Sequence, residues 1–289
     1  MSEIRVSQVN VYPIKSCAPI ESDAAKVGEL GLEHDRAFML IGNRGQMITQ
    51  RTHPQLALVK TALTETSGQL EVAAPNTERL QISTEIDEDQ PEIEIDLFKK
   101  QGTGFEVTDG SEYFSEYLKK AVRLMRIKQP RTIKPECHND GAVTQTGFAD
   151  GFPLLLASEN SLQELNSHIE QPISIDSFRA NLVVKGAEAY DEDYWREIRI
   201  GSLRAYVVRT CARCPIPNID QTVGELPKER PVTTALRQSR SGIDPIGDSP
   251  GEFFGQNLTH VFTPGQTIAV DDRVEILERS HERNFRVNA

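Results

Sequence analysis

Short runs of alternating apolar and polar residues, cut every few positions by glycine, asparagine or proline, set the tightest limit on the fold. A two-residue period puts one face of each strand on a core and the other on water. Ile4-Arg5-Val6 and Val9-Asn10-Val11 open the series, and runs over 36–41, 56–63, 70–72 and 93–95 follow, with turns at Gly42-Asn43 and Ser67-Gly68. Strands this short and this closely spaced suggest an antiparallel barrel or a curled sheet. The second half returns to the pattern over 181–184, 203–208, 267–270 and 273–277.

Two segments break the strand period. Tyr113, Phe114, Tyr117, Leu118, Ala121, Leu124 and Met125 fall at helical spacing, with Asp109 or Ser111 placed to cap the first turn. Ser158 is placed to cap a second helix through Leu162, Leu165 and Ile169, which Pro172 ends. Their apolar residues read as core. Residues 226–252, rich in proline and glycine, read as a long loop with one helical turn at 233–236, the expected lid over a substrate mouth. Strands in both halves with a few helices make the chain α+β, mostly β, with barrel-like sheets.

Composition removes several function classes. The chain has 289 residues and a net charge of -11, which argues against a nucleic-acid duplex or an anionic bilayer as a general partner. The apolar run 152–157 is far too short to cross a membrane, and the N-terminus shows no basic flank followed by an apolar core. The expectation is a cytoplasmic protein. Four cysteines, Cys17, Cys137, Cys211 and Cys214, are too few for a disulfide scaffold of this size. Seven acids between 85 and 96 read as a solvated hairpin face, or more sharply as a dock for a basic partner.

The chemistry concentrates at Cys211-Ala212-Arg213-Cys214-Pro215, which follows the strand-like run 203–208. A thiol at a strand end beside a guanidinium is favoured as thiolate, the form that attacks or ligates metal. Structural zinc would need further ligands, for which only Cys137-His138 is at hand. A redox disulfide and a pair of inert core thiols fit the spacing as well. Lys15-Ser16, Arg36 and Arg179 each stand beside a strand, where cations from several strands can converge on one anion or simply face water. The chain contains neither a Walker loop nor GxGxxG.

Val11-Tyr12-Pro13-Ile14-Lys15-Ser16, with Leu30-Gly31-Leu32 through Asp35-Arg36, resembles the N-terminal barrel of MOSC proteins (molybdenum cofactor sulfurase C-terminal domain). Phe178-Arg179-Ala180-Asn181, Cys211-Ala212-Arg213-Cys214 and Phe254-Gly255-Gln256-Asn257 resemble the MOSC domain itself. The similarity runs over nearly the whole chain. It is nearest to the bacterial hydroxylaminopurine-detoxifying MOSC proteins and the mitochondrial amidoxime-reducing component.

The resemblance implies a barrel-like N-terminal domain over 1–125 packed on a MOSC β-barrel over 126–289. It implies a molybdenum cofactor (Mo-molybdopterin), with Cys214 as its metal ligand. Lys15, Ser16, Arg36, Arg179, Asn181 and Arg213 would contact the pterin and its phosphate, and Asn257 belongs to a motif expected beside it. Asp220 is a candidate for positioning a proton donor, with a turn cap as the plain alternative. Cys211 is assigned a structural part. Ala212 stands where the mitochondrial relatives have serine, and Asn257 where they have tyrosine, so contacts there are lost or replaced.

The implied activity is reduction of N-hydroxylated compounds: hydroxylaminopurines, amidoximes and hydroxylamines. The alternative is a cofactor carrier or sulfur relay without turnover. No four-cysteine cluster motif is present. Electrons are therefore expected from a separate protein of ferredoxin, flavoreductase or cytochrome type. The expected partners are thus that donor and the small molecule, with no nucleic acid and no membrane.

Overall fold

The computed structural model describes residues 3–64, 68–97 and 100–287. Met1, Ser2 and the Ser67 half of the expected turn lie outside them. Among the described residues ten strands form the largest sheet. Its main path runs Ile20–Ser22, Arg5–Val11, Leu182–Lys185, Leu154–Ser158, Ser249–His260, Leu203–Ala212, Trp195–Ile200, Val274–Arg279. All pairs on this path are antiparallel except Leu154–Ser158 with Leu182–Lys185. That parallel pair needs a crossover. Helix α2, Glu159–Asn166, supplies it, started by Ser158, whose side chain accepts from the Ser161 amide.

A five-stranded sheet builds the other half: Ile93–Leu97, Lys100–Glu106, Val122–Gln129, Phe38–Gly42 and Met47–Ile48. Val6, Val9, Trp195, Ile198 and Leu258 pack within the core of the large sheet, while Phe38, Leu40, Phe114 and Leu124 fill the second. The fold is α+β and mostly β. The two halves interleave. The first strand, Arg5–Val11, lies in the large sheet against Leu182–Lys185, and the boundary expected at 125/126 falls inside the Val122–Gln129 strand.

Several sequence readings are corrected, among them the reach of α2, which stops at Asn166 before Ile169 and Pro172. The first helix, α1, spans Thr108–Leu118 and stops at Lys119, which is left-handed at φ +50°. Leu124 and Met125 belong instead to the strand Val122–Gln129. Neither Asp109 nor Ser111 caps α1, whose N-cap position is Val107; the Ser111 hydroxyl donates to the Val107 carbonyl and accepts from the Leu124 amide, tying helix to strand. The run 56–63 opens as a 3-10 turn, Pro54–Leu58, before the strand Lys60–Leu63. The segment 226–252 is no open loop: it holds helix α3, Pro231–Ser239, the strand Ser241–Asp244 and the start of Ser249–His260. Residues 85–92 form an exposed connection between strands.

Candidate active site

The strand Leu203–Ala212 pairs with Ser249–His260, and the Arg213 amide extends the pairing by donating to the Glu252 carbonyl at 2.8 Å. Cys214 is thus the first residue released from the sheet. Pro215 then turns the chain into a 3-10 segment, Ile216–Asn218, because its ring fixes φ near the helical value. The Cys214 side chain rests against Ala57, Ile216 and Ile219 on one side. On the other it lines a cleft of about 130 Å³.

Both halves of the chain wall this cleft. Lys15, Ser16, Arg36 and Arg51 come from the first, and Arg179, Asn181, Arg213 and Asn257 from the second. The positioning is costly. Ser16, Arg36 and Arg179 all hold positive φ, at +72°, +46° and +58°. Each such residue stores on the order of 1–3 kcal/mol and persists only where its surroundings dictate it.

One wall is a lattice of fixed guanidinium groups. Arg36 donates through Nη1 to Asp35 Oδ2 at 2.6 Å and to Asn181 Oδ1 at 2.9 Å, and through Nη2 to the Arg179 carbonyl at 2.9 Å. Asn181 spends its amide on the Asn10 carbonyl and on Asp35 Oδ1, so it acts here as a strut. Arg36 and Arg179 both lie over the Tyr12 ring, 4.3 and 4.4 Å from its centroid. Burial pushes the Tyr12 phenol above its ordinary range, which keeps it neutral between them. Arg179 Nη1 donates to the Cys17 carbonyl at 2.8 Å, yet its Nη2 is buried with no acceptor. Arg213 donates to the Phe178 carbonyl at 2.6 Å and to Cys211 Sγ at 3.0 Å, and its Nε is likewise unpaired.

The opposite wall centres on Asp150, which the sequence reading missed. Lys15 Nζ donates to the Phe148 carbonyl at 2.8 Å and to Asp150 Oδ1. Arg51, also missed, donates to Asp150 Oδ2 at 2.9 Å and lines the cleft with Cys214, with which it interacts electrostatically. Crowding by protein would raise the Asp150 pKa, but Lys15 and Arg51 outweigh it and hold the carboxyl well below the usual range. Burial lowers the Lys15 pKa, opposed by Asp150. Arg131 lies beneath the same wall, its guanidinium bonded to the Ala149 carbonyl. The only local signal for Asp150 was its place between Gly147 and Gly151; for Arg51 there was none beyond its charge.

Not every expected residue reaches the cleft. Asp220 is exposed and accepts from the Thr222 amide at 2.8 Å and hydroxyl at 2.6 Å, capping a turn. Asn257 lines the cleft, but its amide donates to the Thr210 carbonyl at 3.3 Å. No residue of 226–252 is among those lining the cleft; its apolar flank is Phe152, Leu155, Phe178 and Ile216. Cys137 sits elsewhere, buried beside Ile133 and Phe152.

Residues 3–121 match the family described as MOSC N-terminal beta barrel domain, and residues 143–275 match the MOSC domain. Among similar proteins, mitochondrial amidoxime-reducing component 1 of Xenopus laevis is 28% identical, over 91% of this chain and 81% of its own length. Mitochondrial amidoxime reducing component 2 of Bos taurus is 31% identical over 79% and 70%. Component 1 of Mus musculus is 30% identical over 94% and 82%. With both halves matched in order and relatives aligned across most of their length, this chain belongs to the MOSC-domain family.

Proposed function

We propose that the chain is a molybdenum-pterin-dependent reductase of N-hydroxylated compounds, fed with electrons by a separate donor protein of ferredoxin, flavoreductase or cytochrome type. One observation carries the reading. Cys214 shares a cleft with Lys15, Arg36, Arg51, Arg179 and Arg213, and two of these guanidinium groups carry a buried, unpaired N–H. Leaving such a donor unpaired costs about 1–3 kcal/mol, which an oxyanion ligand would offset. The phosphate-bearing molybdenum cofactor fits that demand, since forked guanidinium groups suit phosphate oxygens and a thiolate suits the metal. Among the described residues no three His, Cys, Asp or Glu side chains gather as a metal-holding group, so Cys214 would be one protein ligand beside the cofactor's own donors.

When bound, the cofactor supplies an acceptor for the oxygen of the N–OH group. The net change balances as R–NHOH + 2 e⁻ + 2 H⁺ → R–NH₂ + H₂O. The chain's own residues prepare the place for it. Arg179 and Arg213, which line the cleft with donors still unpaired, would hold the anionic tail. Arg36, fixed by Asp35 and Asn181, holds the Arg179 carbonyl and so keeps that side chain's backbone in its left-handed turn. Lys15 is buried and anchors the opposite wall through the Phe148 carbonyl and Asp150. The apolar flank of Phe152, Leu155 and Ile216 keeps water from one side.

The names of the relatives, which describe amidoxime reduction, support amidoximes as substrates here; hydroxylaminopurines and hydroxylamines are proposed beside them on the shared N–OH group. Those names lend no support to a carrier or sulfur relay. Cofactor-loaded protein given an artificial reductant should convert benzamidoxime to benzamidine, and Cys214→Ala should lose at least 100-fold in rate. An equally active Cys214→Ala variant overturns the proposal.

A further inference from the structure

Asp150 is the one carboxylate among the residues lining the cleft. Its two cationic partners are more enclosed than it is: the side chains of Lys15 and Arg51 are 8% and 28% exposed, that of Asp150 52%. Each carboxylate oxygen takes one of them, Oδ1 from Lys15 and Oδ2 from Arg51. A carboxylate offers about four acceptor sites, so lone pairs on both oxygens remain for a ligand. The same Arg51 interacts electrostatically with Cys214, and Asp150, Arg51 and Cys214 line one cleft. Beside it in the chain, Gly151 has open space where a side chain would project, and Phe152 adds an aromatic face to the same wall. An acceptor with spare capacity therefore meets solvent next to an apolar surface, at the edge of the place where chemistry is proposed.

We propose that Asp150 is a substrate-orienting and specificity-determining residue. Its carboxylate accepts an N–H from the amino group borne by the same carbon as the N–OH. This inference rests on the reductase reading and narrows its substrate class to N-hydroxyamidines and N-hydroxyguanidines over simple hydroxylamines. In an amidoxime, H₂N–C(R)=N–OH, the amino group and the N–OH diverge from one carbon. Pinning the amino group on Asp150 aims the N–O bond toward the Cys214 side of the cleft. A simple N-aryl hydroxylamine has no amino group on the carbon that bears the N–OH and gains nothing from the carboxylate. Lys15 and Arg51 keep the group ionised and hold its plane, and a charge-assisted hydrogen bond of this kind contributes about 10-fold or more in discrimination.

The test uses cofactor-loaded wild type and Asp150→Asn, with rates expressed per bound molybdenum. The readout is the ratio of kcat/KM for benzamidoxime to that for N-phenylhydroxylamine. The ratio should fall at least 10-fold in Asp150→Asn. A ratio unchanged within twofold overturns the inference, even if both rates drop together, because Asp150 would then act only by holding its two cations. Calorimetry with benzamidine, which is not reduced, gives a readout independent of turnover. Wild type should bind it at least 10-fold more tightly than Asp150→Asn, and equal affinity overturns the inference. A wild type that binds benzamidine in this selective way but reduces neither compound would instead overturn the reductase reading and leave the recognition standing.

Discussion

Arg179 carries the sharpest local conflict in the molecule. It is left-handed at φ +58°, nine-tenths buried, and one of its terminal nitrogens has no acceptor. Burial pulls its pKa down, with Arg36 adding to the effect, so the site holds a cation that the bare protein does not fully compensate. The anionic cofactor proposed above would resolve the conflict. Arg179→Met should weaken cofactor retention by about 10–100-fold, the loss of one or two charge-assisted hydrogen bonds. Molybdenum content after gel filtration reads this directly; full occupancy would refute it. Arg179→Lys, which keeps the charge and loses the fork, should fall between. The sequence made Lys15, Arg36, Arg179, Arg213 and Cys214 visible because each sits at a strand end in a recognisable string. Arg51 and Asp150 were invisible, because their meaning lies in interactions with Cys214 and Lys15 across long stretches of chain. Asp220 misled for the opposite reason: a short-range Asx turn with Thr222 places the carboxylate on the surface.

At the scale of elements, the strand Ser249–His260 connects the site to the core. It pairs with Leu154–Ser158 on one edge and Leu203–Ala212 on the other. Gly255 stands at φ +78° within it, and a Cβ there would come 2.8 Å from the Leu156 carbonyl oxygen. Gly255→Ala should therefore cost about 2–3 kcal/mol of stability, measured by chemical denaturation, with Asn257 displaced two residues on. A change below 0.5 kcal/mol would show that the strand yields there. Strand existence was legible from the two-residue period, but helix ends and the α1 boundary were not. Leu124 and Met125 continue the helical spacing of Tyr113 and Leu118 by coincidence, and only the left-handed Lys119 and the pairing with Phe38–Gly42 assign them to a sheet. Residues 226–252 hid α3 and a strand behind their prolines, one of which, Pro231, occupies the first turn of α3, where the missing N–H costs nothing.

At the scale of the whole molecule, buried charges outside the cleft lining brace the fold. Asp193 takes a bidentate bond from Arg240 at 2.7 and 2.9 Å, and Gln256 adds a third donor at 2.8 Å. Its neighbour Glu192, fully buried, accepts from the Ser161 hydroxyl, at 2.7 and 2.9 Å from its two oxygens, and has no cation paired directly with it among the described residues. Burial, reinforced by Asp193, pushes its carboxyl up from 4.5 to about 7. A carboxyl raised on folding contributes stability that is fully present below its unfolded pKa and lost as pH rises through the folded value. The difference in unfolding free energy between wild type and Glu192→Gln should therefore shift by roughly 3 kcal/mol from pH 4.5 to 8, in favour of the variant at the alkaline end. A pH-independent difference would contradict it. The two halves meet at one cleft, and the claim on which the functional account turns is that Cys214 binds the metal there. X-ray absorption at the molybdenum edge of cofactor-loaded protein tests it most directly. The account predicts one sulfur neighbour fewer in Cys214→Ser than in wild type; an identical sulfur count in the two proteins would contradict it.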